Sequence, residues 1–293
     1  MILAAGLGTR LRPLTDELPK PLVPVGDAPL LVHITRWLQQ MGVGRVVINT
    51  HHRPACFEGL RMPLPAAFLH EPRLLGTAGG VANARASLPD EDLVVWNGDL
   101  FAEIDLAALR AARERDDADA AWAVAPRPAG QGTVGLDRAG RVVRVRSFRR
   151  GEEASGGDFL GVQALSRRLL PALPTEGCLV GDVLGPRVAA GACVVGVPHH
   201  GPWDDVGTVA SYLRANLRWL RERGLAVHRG EGSAAAPGAR LSQVVLGPGA
   251  RVSGRGEATR LVVWAGGEAA APLSGAVVTA SGRVVRADPL TAG

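Results

Sequence analysis

Met1-Ile2-Leu3-Ala4-Ala5-Gly6-Leu7-Gly8-Thr9-Arg10-Leu11-Arg12 opens the chain, and Pro19-Lys20-Pro21 follows a few residues on. Five apolar residues that end in a Gly-rich, basic turn predict a buried strand emptying into a phosphate-binding loop. Gly6 and Gly8 lack a Cβ, so a phosphate can approach the main-chain N–H groups. Thr9 offers a hydroxyl, and Arg10 and Arg12 offer planar guanidinium forks that match phosphate oxygens. The two prolines predict a stiff, extended setting for Lys20. Lys20 is the only lysine; the other 32 basic residues are arginines. Two better-known loops are excluded. Walker A needs Gly-Lys-Ser/Thr at a helix start, and the dinucleotide fingerprint needs a third glycine where this chain has Arg10-Leu11-Arg12-Pro13.

The length of 293 residues can bury a large core and predicts more than one domain. A net charge of +5 and a pI near 10 raise the question of nucleic acid. That reading wants basic residues interleaved with aromatics on one face. Here aromatics are 4% and the arginines are scattered, so an Arg-rich solvated surface that also attracts phosphorylated ligands is the simpler account. Cys56, Cys178 and Cys193 form no CxxC pair, which suits a reducing cytoplasm and argues against a disulfide scaffold or a zinc knuckle. The apolar start is too short for a signal peptide, and no run approaches membrane-spanning length.

Past the loop, apolar spacing predicts a helix over 29–41 with Asp27 at its cap, then strands over 45–49 and 66–69. His51-His52 lacks further ligands at useful spacing and reads as loop. Gly76-Thr77-Ala78-Gly79 is a second small-residue turn opening a helix, where backbone groups can meet a ligand. Leu93–Trp96 is an apolar strand ending in Asn97-Gly98-Asp99. A carboxylate beyond the C-terminal end of a buried parallel strand lies where open α/β sheets bind ligands, and its oxygens suit Mg²⁺. A helix over 106–115 capped by Asp105 and a strand over 118–125 complete a βαβα alternation. That pattern predicts a mostly parallel sheet with helices on both faces. A hairpin over 133–145, a helix over 180–190, a strand over 193–197 and a helix over 209–223 follow.

Together these motifs resemble the sugar-1-phosphate nucleotidylyltransferases, whose opening GxGxRLxPLT and PKP pattern is matched by Gly6, Gly8, Arg10, Leu11, Pro13, Leu14, Thr15, Pro19, Lys20 and Pro21. The resemblance spans nearly the whole chain and implies a Rossmann-like fold and transfer of a nucleotidyl group to a sugar 1-phosphate. It implies nucleotide binding by Ala4, Ala5, Gly6, Gly8, Thr9, Arg10, the 76–79 segment and Asn97. It implies sugar-phosphate binding by Lys20, Gly132 and Gly161, catalysis by Arg10 and Lys20, and Mg²⁺ on Asp99 and Asp205. Asp205 stands in Trp203-Asp204-Asp205-Val206-Gly207-Thr208; its neighbour Asp204, on an extended segment, points to the other side and is expected to be mild when replaced. One departure concerns a Glu-Lys-Pro of the family, replaced here by Ser147-Phe148-Arg149-Arg150-Gly151, so Arg149 or Arg150 is the candidate for that lysine. The closest likeness is to mannose-1-phosphate guanylyltransferases, which implies GTP and mannose 1-phosphate. A uridylyltransferase on another hexose or amino-sugar phosphate stands close behind. A catalytically silent regulator is disfavoured because Arg10, Lys20, Asp99 and Asp205 are all present, and a cytidylyltransferase for a phospho-alcohol lacks a marked aromatic cage.

From 226 the composition changes to Gly-Pro turns and β-branched pairs, with Leu246, Val252, Ala258 and Trp264 at six-residue spacing. This degraded hexapeptide pattern predicts a short left-handed parallel β-helix over 226–293, after a nucleotidyltransferase domain over 1–225. Such tails in the family often serve assembly, so a homo-oligomer is an expectation.

Overall fold

The structure, a computed structural model, describes residues 1–287. The last six residues of the expected tail, 288–293, lie outside the described residues. Packing divides the chain into two units, the first made of Met1–Gly6, Ile34–Pro54 and Gly59–Trp203, the second of Leu7–His33, Ala55–Glu58 and the chain from Asp204 onward.

In the first unit a ten-stranded sheet runs in the order Phe148–Arg149, Val142–Val145, Val134–Leu136, Ser155–Leu165, Leu93–Asn97, Ile2–Leu3, Val46–Thr50, Ala66–His70. Ala120–Arg127 also pairs with Ser155–Leu165, and Val194–Pro198 pairs with Ala120–Arg127. Ile2 lies between Ile48 and Trp96 in parallel register, so the first strand sits inside the sheet. All three are fully buried, as parallel strands covered on both faces should be. Ser155–Leu165 was not foreseen from sequence. It runs antiparallel to Leu93–Asn97, Ala120–Arg127 and Val134–Leu136, which makes the sheet parallel-rich but mixed. Its Ser155-Gly156-Gly157 start and Gly161 erase the alternation that marks a strand. The helices stand close to expectation: Leu106–Arg115 is capped by Asp105, whose carboxylate accepts from Ala108 N at 2.9 Å. The expected helix over 180–190 is instead a π-helical stretch, Leu179–Leu184, continued by the α-helix Gly185–Ala190. The core of this unit gathers Val95, Trp122, Val124, Leu165, Leu179 and Leu184 among others.

In the second unit the helix Val209–Glu222 is the centre. Thr208 and Ser211 cap each other reciprocally at its start. The tail strands Ala239–Leu246, Arg251–Val263 and Glu268–Val278 lie parallel. Leu246 pairs with Val263, a step of 17 residues, whereas Ala258 pairs with Leu273, a step of 15. The shortened step explains why the six-residue spacing fades after Trp264. Leu246, Val252, Ala258 and Trp264 are all buried, so the spacing picked out inward-facing positions. The last ladder, Val278 with Val284, is antiparallel and closes the stack with a hairpin. Packing groups the helix with the tail, whereas the sequence places a boundary between them near 226. The link is specific: Trp264 Nε1 donates to Tyr212 Oη at 3.0 Å, and Tyr212 Oη donates to Pro24 O at 2.5 Å.

Among the described residues no helix is long and apolar enough to cross a membrane. The Tyr212 hydroxyl is fully buried and serves two partners at once. Tyr212→Phe strands the buried indole N–H and leaves Pro24 O with only the longer bond from Asn216 Nδ2 at 3.4 Å, and the expected loss is about 1–3 kcal/mol of unfolding free energy by urea titration.

Candidate active site

In the second unit the stretch after Leu7 expected to bind phosphate is a chain of short 3₁₀ turns, Thr9–Leu11, Leu14–Asp16 and Lys20–Leu22. Gly8 has φ +62°, and a Cβ there would lie 2.8 Å from Thr15 Cγ2, so the position requires glycine. Thr15 is buried and its hydroxyl donates to Gly8 O at 3.0 Å, which ties the two ends of the loop. Lys20 does not continue the extended course of Pro19. It opens a turn in which Leu22 N donates to Pro19 O at 2.8 Å. Its side chain is largely buried, and Nζ stands 3.5 Å from Asp205 Oδ1. Arg10 Nη2 stands 3.7 Å from Asp205 Oδ2, with the Arg10 side chain mostly in solvent. Gly207 makes room: a Cβ there would be 3.0 Å from both Arg10 Nη2 and Asp205 Oδ1. Charge-assisted hydrogen bonds to carboxylate run at about 2.7–2.9 Å. Both cations therefore stand at loose distances from the half-exposed Asp205 carboxylate.

Asp204 faces the opposite way, as an extended backbone requires. It is buried, and Arg214 Nε and Arg218 Nε each donate to it at 2.7 Å. The expected mildness of its replacement concerns turnover; for stability the burial matters, because removing the carboxylate takes from the buried Arg218 its closest counter-charge.

In the first unit Ala4 and Ala5 are buried at the end of the first strand, and Gly6 is exposed. Ala4 N donates to Asn49 Oδ1 at 2.8 Å, and Asn49 Nδ2 donates to Glu71 Oε1 at 2.7 Å. Leu75 N then donates to Glu71 Oε2 at 3.3 Å. This buried chain fixes the end of the first strand against the start of the 76–79 turn. Asn49 and Glu71 were not singled out from sequence; a polar residue near the end of an apolar strand, and an acid just before the small-residue turn, were the available signals. Small residues at 76–79 also serve packing. Ala78 N donates to Gly177 O at 2.9 Å, and Thr77 Oγ1 accepts from Leu179 N at 2.7 Å.

Asn97 ends its strand, and half-buried Asp99 lies in the tight turn that follows. Gly161, φ +80°, lies against Asn97: a Cβ there would be 2.4 Å from Asn97 Nδ2. The fold thus brings together two predicted residues 64 positions apart in the chain. Gly132 bridges to Gly157, and its carbonyl accepts from Arg144 Nη1 at 3.0 Å. Arg144, also missed in sequence, is buried and grips Glu153 with two bonds of 2.7 and 3.0 Å, which hold the Glu153 carboxyl down at about 2. Arg149 pairs across from Arg144 on the neighbouring strand, and the Arg150 guanidinium lies over Gly191.

Replacing Asp204 by Ala is expected to cost about 3 kcal/mol of stability, because the buried Arg218 loses its closest counter-charge and keeps the Glu222 carboxylate at 3.0 Å. Asp205→Ala is expected to leave the melting temperature near wild type, because an exposed pair contributes little. Thermal melts of the two variants check this; equal melting temperatures would contradict it.

Residues 1–222 match the family model described as nucleotidyl transferase. A mannose-1-phosphate guanylyltransferase of Mycobacterium tuberculosis is 31% identical over 283 residues, covering 89% of this chain and 77% of that protein. An N-acetylmuramate alpha-1-phosphate uridylyltransferase of Neisseria meningitidis is 42% identical over 115 residues, 37% of this chain and 49% of that protein. Among solved structures, HddC from Yersinia pseudotuberculosis superposes with a TM-score of 0.62 at 22% identity, over 74% of this chain and 97% of that one, a likeness of fold. The family match over most of the chain and the relative that runs nearly its full length show that this protein belongs to the nucleotidyl transferase family.

Proposed function

We propose that the protein joins a nucleoside triphosphate to a sugar 1-phosphate, releasing pyrophosphate, with GTP and mannose 1-phosphate as substrates and GDP-mannose as product. The observation that carries this reading is the pair of cations, Lys20 and Arg10, gathered at the carboxylate of Asp205. The mycobacterial relative supports the choice of substrates. The Neisseria relative supports a second reading, UTP with an amino-sugar 1-phosphate.

In the reaction a sugar-phosphate oxygen attacks the α-phosphorus, a new P–O bond forms, and the bond to the β-phosphate breaks. The attacking phosphate is already ionised, so no general base is required. What is required is the meeting of two anions, achieved by position and charge. Arg10 and the backbone of Gly6, Gly8 and Thr9 hold the β- and γ-phosphates that leave. Lys20 neutralises the α-phosphate and holds the incoming one. Ala4, Ala5, Asn97 and the segment Gly76, Thr77, Ala78 and Gly79 receive the base and ribose; Gly132 and Gly161 receive the sugar.

Asp99 and Asp205 are the proposed Mg²⁺ ligands. The donor set fits the ion: both are oxygen donors, and Asp205 is half exposed and only loosely engaged. Among the described residues no group of three or more His, Cys, Asp or Glu could hold a metal. A pair of carboxylates, with phosphate oxygens and water completing the shell, is how proteins usually hold Mg²⁺. The ion supplies neutralisation of charge on the phosphate oxygens.

The parallel stack beyond 226 is proposed as a short left-handed β-helix that follows a transferase domain over 1–225 and supports self-association. Free Cys56, Cys178 and Cys193 support a cytoplasmic setting.

A pyrophosphate-release assay across GTP, UTP, CTP and ATP against several hexose 1-phosphates tests the reading. GTP with mannose 1-phosphate is expected to give the highest kcat/KM. In Lys20→Ala both kcat and kcat/KM fall by about a hundredfold or more, because the lost interaction strengthens in the transition state. Lys20→Arg rescues poorly, since a larger planar head must fit a buried place. Wild-type turnover in Lys20→Ala removes Lys20 from the mechanism.

A further inference from the structure

The second unit contains a tie between the tail and the phosphate loop that the reaction chemistry does not call for. Glu17 lies between Thr15 and Lys20. Its Oε1 accepts from Thr279 Oγ1 and from Ser281 Oγ, both at 2.6 Å, and its Oε2 accepts from Ser281 N at 3.3 Å. Beside it Arg283 Nη1 stands 3.4 Å from Asp16 Oδ2. The donors are themselves fixed. Thr279 is fully buried, Arg283 N donates to its hydroxyl at 3.2 Å, and Thr279 N donates to Arg283 O at 3.0 Å, so the turn is closed on itself. The carboxyl is held below the usual range despite partial burial, by the hydrogen bonds from Ser281 and Thr279 and by the charge of Arg283.

On the loop side the coupling to Lys20 is short. Glu17 N donates to Leu14 O at 3.1 Å, the adjacent Thr15 hydroxyl ties back to Gly8, and Pro19 and Pro21 restrict the backbone on either side of Lys20. Three donors from a preformed turn on one carboxylate hold a loop far better than a single exposed ion pair.

We propose that the closing hairpin of the tail holds the phosphate loop in its working position through Glu17, which makes Glu17 a positioning residue for the transfer. The inference rests on the proposed reaction, and it gives the tail a task within one chain that differs from assembly.

The test is a double-mutant cycle in the full-length protein, read by kcat, melting temperature and hydrogen exchange of residues 9–20. Glu17→Ala is expected to lower kcat about ten- to hundredfold, the scale of a misplaced reacting group, and to speed exchange in 9–20. Glu17→Gln, which keeps one acceptor, recovers part of the loss. In a Lys20→Ala background Glu17→Ala costs little more, because what Glu17 holds in place is already gone. Equal losses in both backgrounds, or wild-type kcat in Glu17→Ala, overturn the proposal. Should Glu17→Ala fail to fold, Ser281→Ala removes one donor and is read in the same way. If the wild type itself turns over none of the substrate pairs, the transfer reading fails instead. The tether then stands or falls on exchange alone, and unchanged exchange in Glu17→Ala refutes it.

Discussion

A carboxylate facing two cations marks the candidate site in the second unit. Asp205 meets Lys20 from 185 positions away in the chain, and Arg10 from farther still. Burying Lys20 costs desolvation, and the half-exposed Asp205 carboxylate at 3.5 Å contributes to offsetting it. The position of this cluster is set by neighbouring residues outside it.

Those residues carry most of the structural cost. Asp204, one step along the backbone, faces inward and anchors Arg214 and Arg218 of the helix, while Asp205 faces outward. The alternation of an extended segment thus divides two identical side chains between the interior and the candidate site. In the first unit the same division appears between Ala4, whose backbone ends the first strand, and the buried Asn49 and Glu71 that hold it. Arg144 and Glu153 do the same for the segment around Gly132. Each case is a buried polar network with its members matched, the condition under which such networks rigidify a fold.

The sequence made the sheet strands with strong apolar runs legible, because burial on both faces leaves an unbroken hydrophobic stretch, as in Leu93–Trp96. Helices with one apolar face, such as Leu30–Gln40 and Val209–Glu222, were legible for the same reason. Ser155–Leu165 was not, since glycines at 156, 157 and 161 are there for close approach of neighbouring groups rather than for strand propensity. The candidate site was legible as motifs: Gly8, Lys20 and Asp205 could be named from local pattern. Their supports could not. Arg144 and Glu71 act through partners outside any periodic pattern, Asn49 reaches Ala4 across 45 positions, and Glu17 meets Thr279 across 262. No local pattern encodes such a pairing. The tail shows both sides: six-residue spacing revealed its buried positions, while the shortened step after Ala258 and the tie to Glu17 emerged only in three dimensions.

Lys20 is the only lysine, so protein labelled with ¹⁵N-lysine yields a single side-chain Nζ resonance. That signal reports directly on whether the buried ammonium beside Asp205 meets substrate phosphate. The account predicts a clear shift on adding GTP with Mg²⁺, and a second shift when mannose 1-phosphate is added to an inert GTP analogue. An Nζ resonance that ignores both ligands at saturating concentration would contradict the claim that Lys20 is where the two phosphates meet.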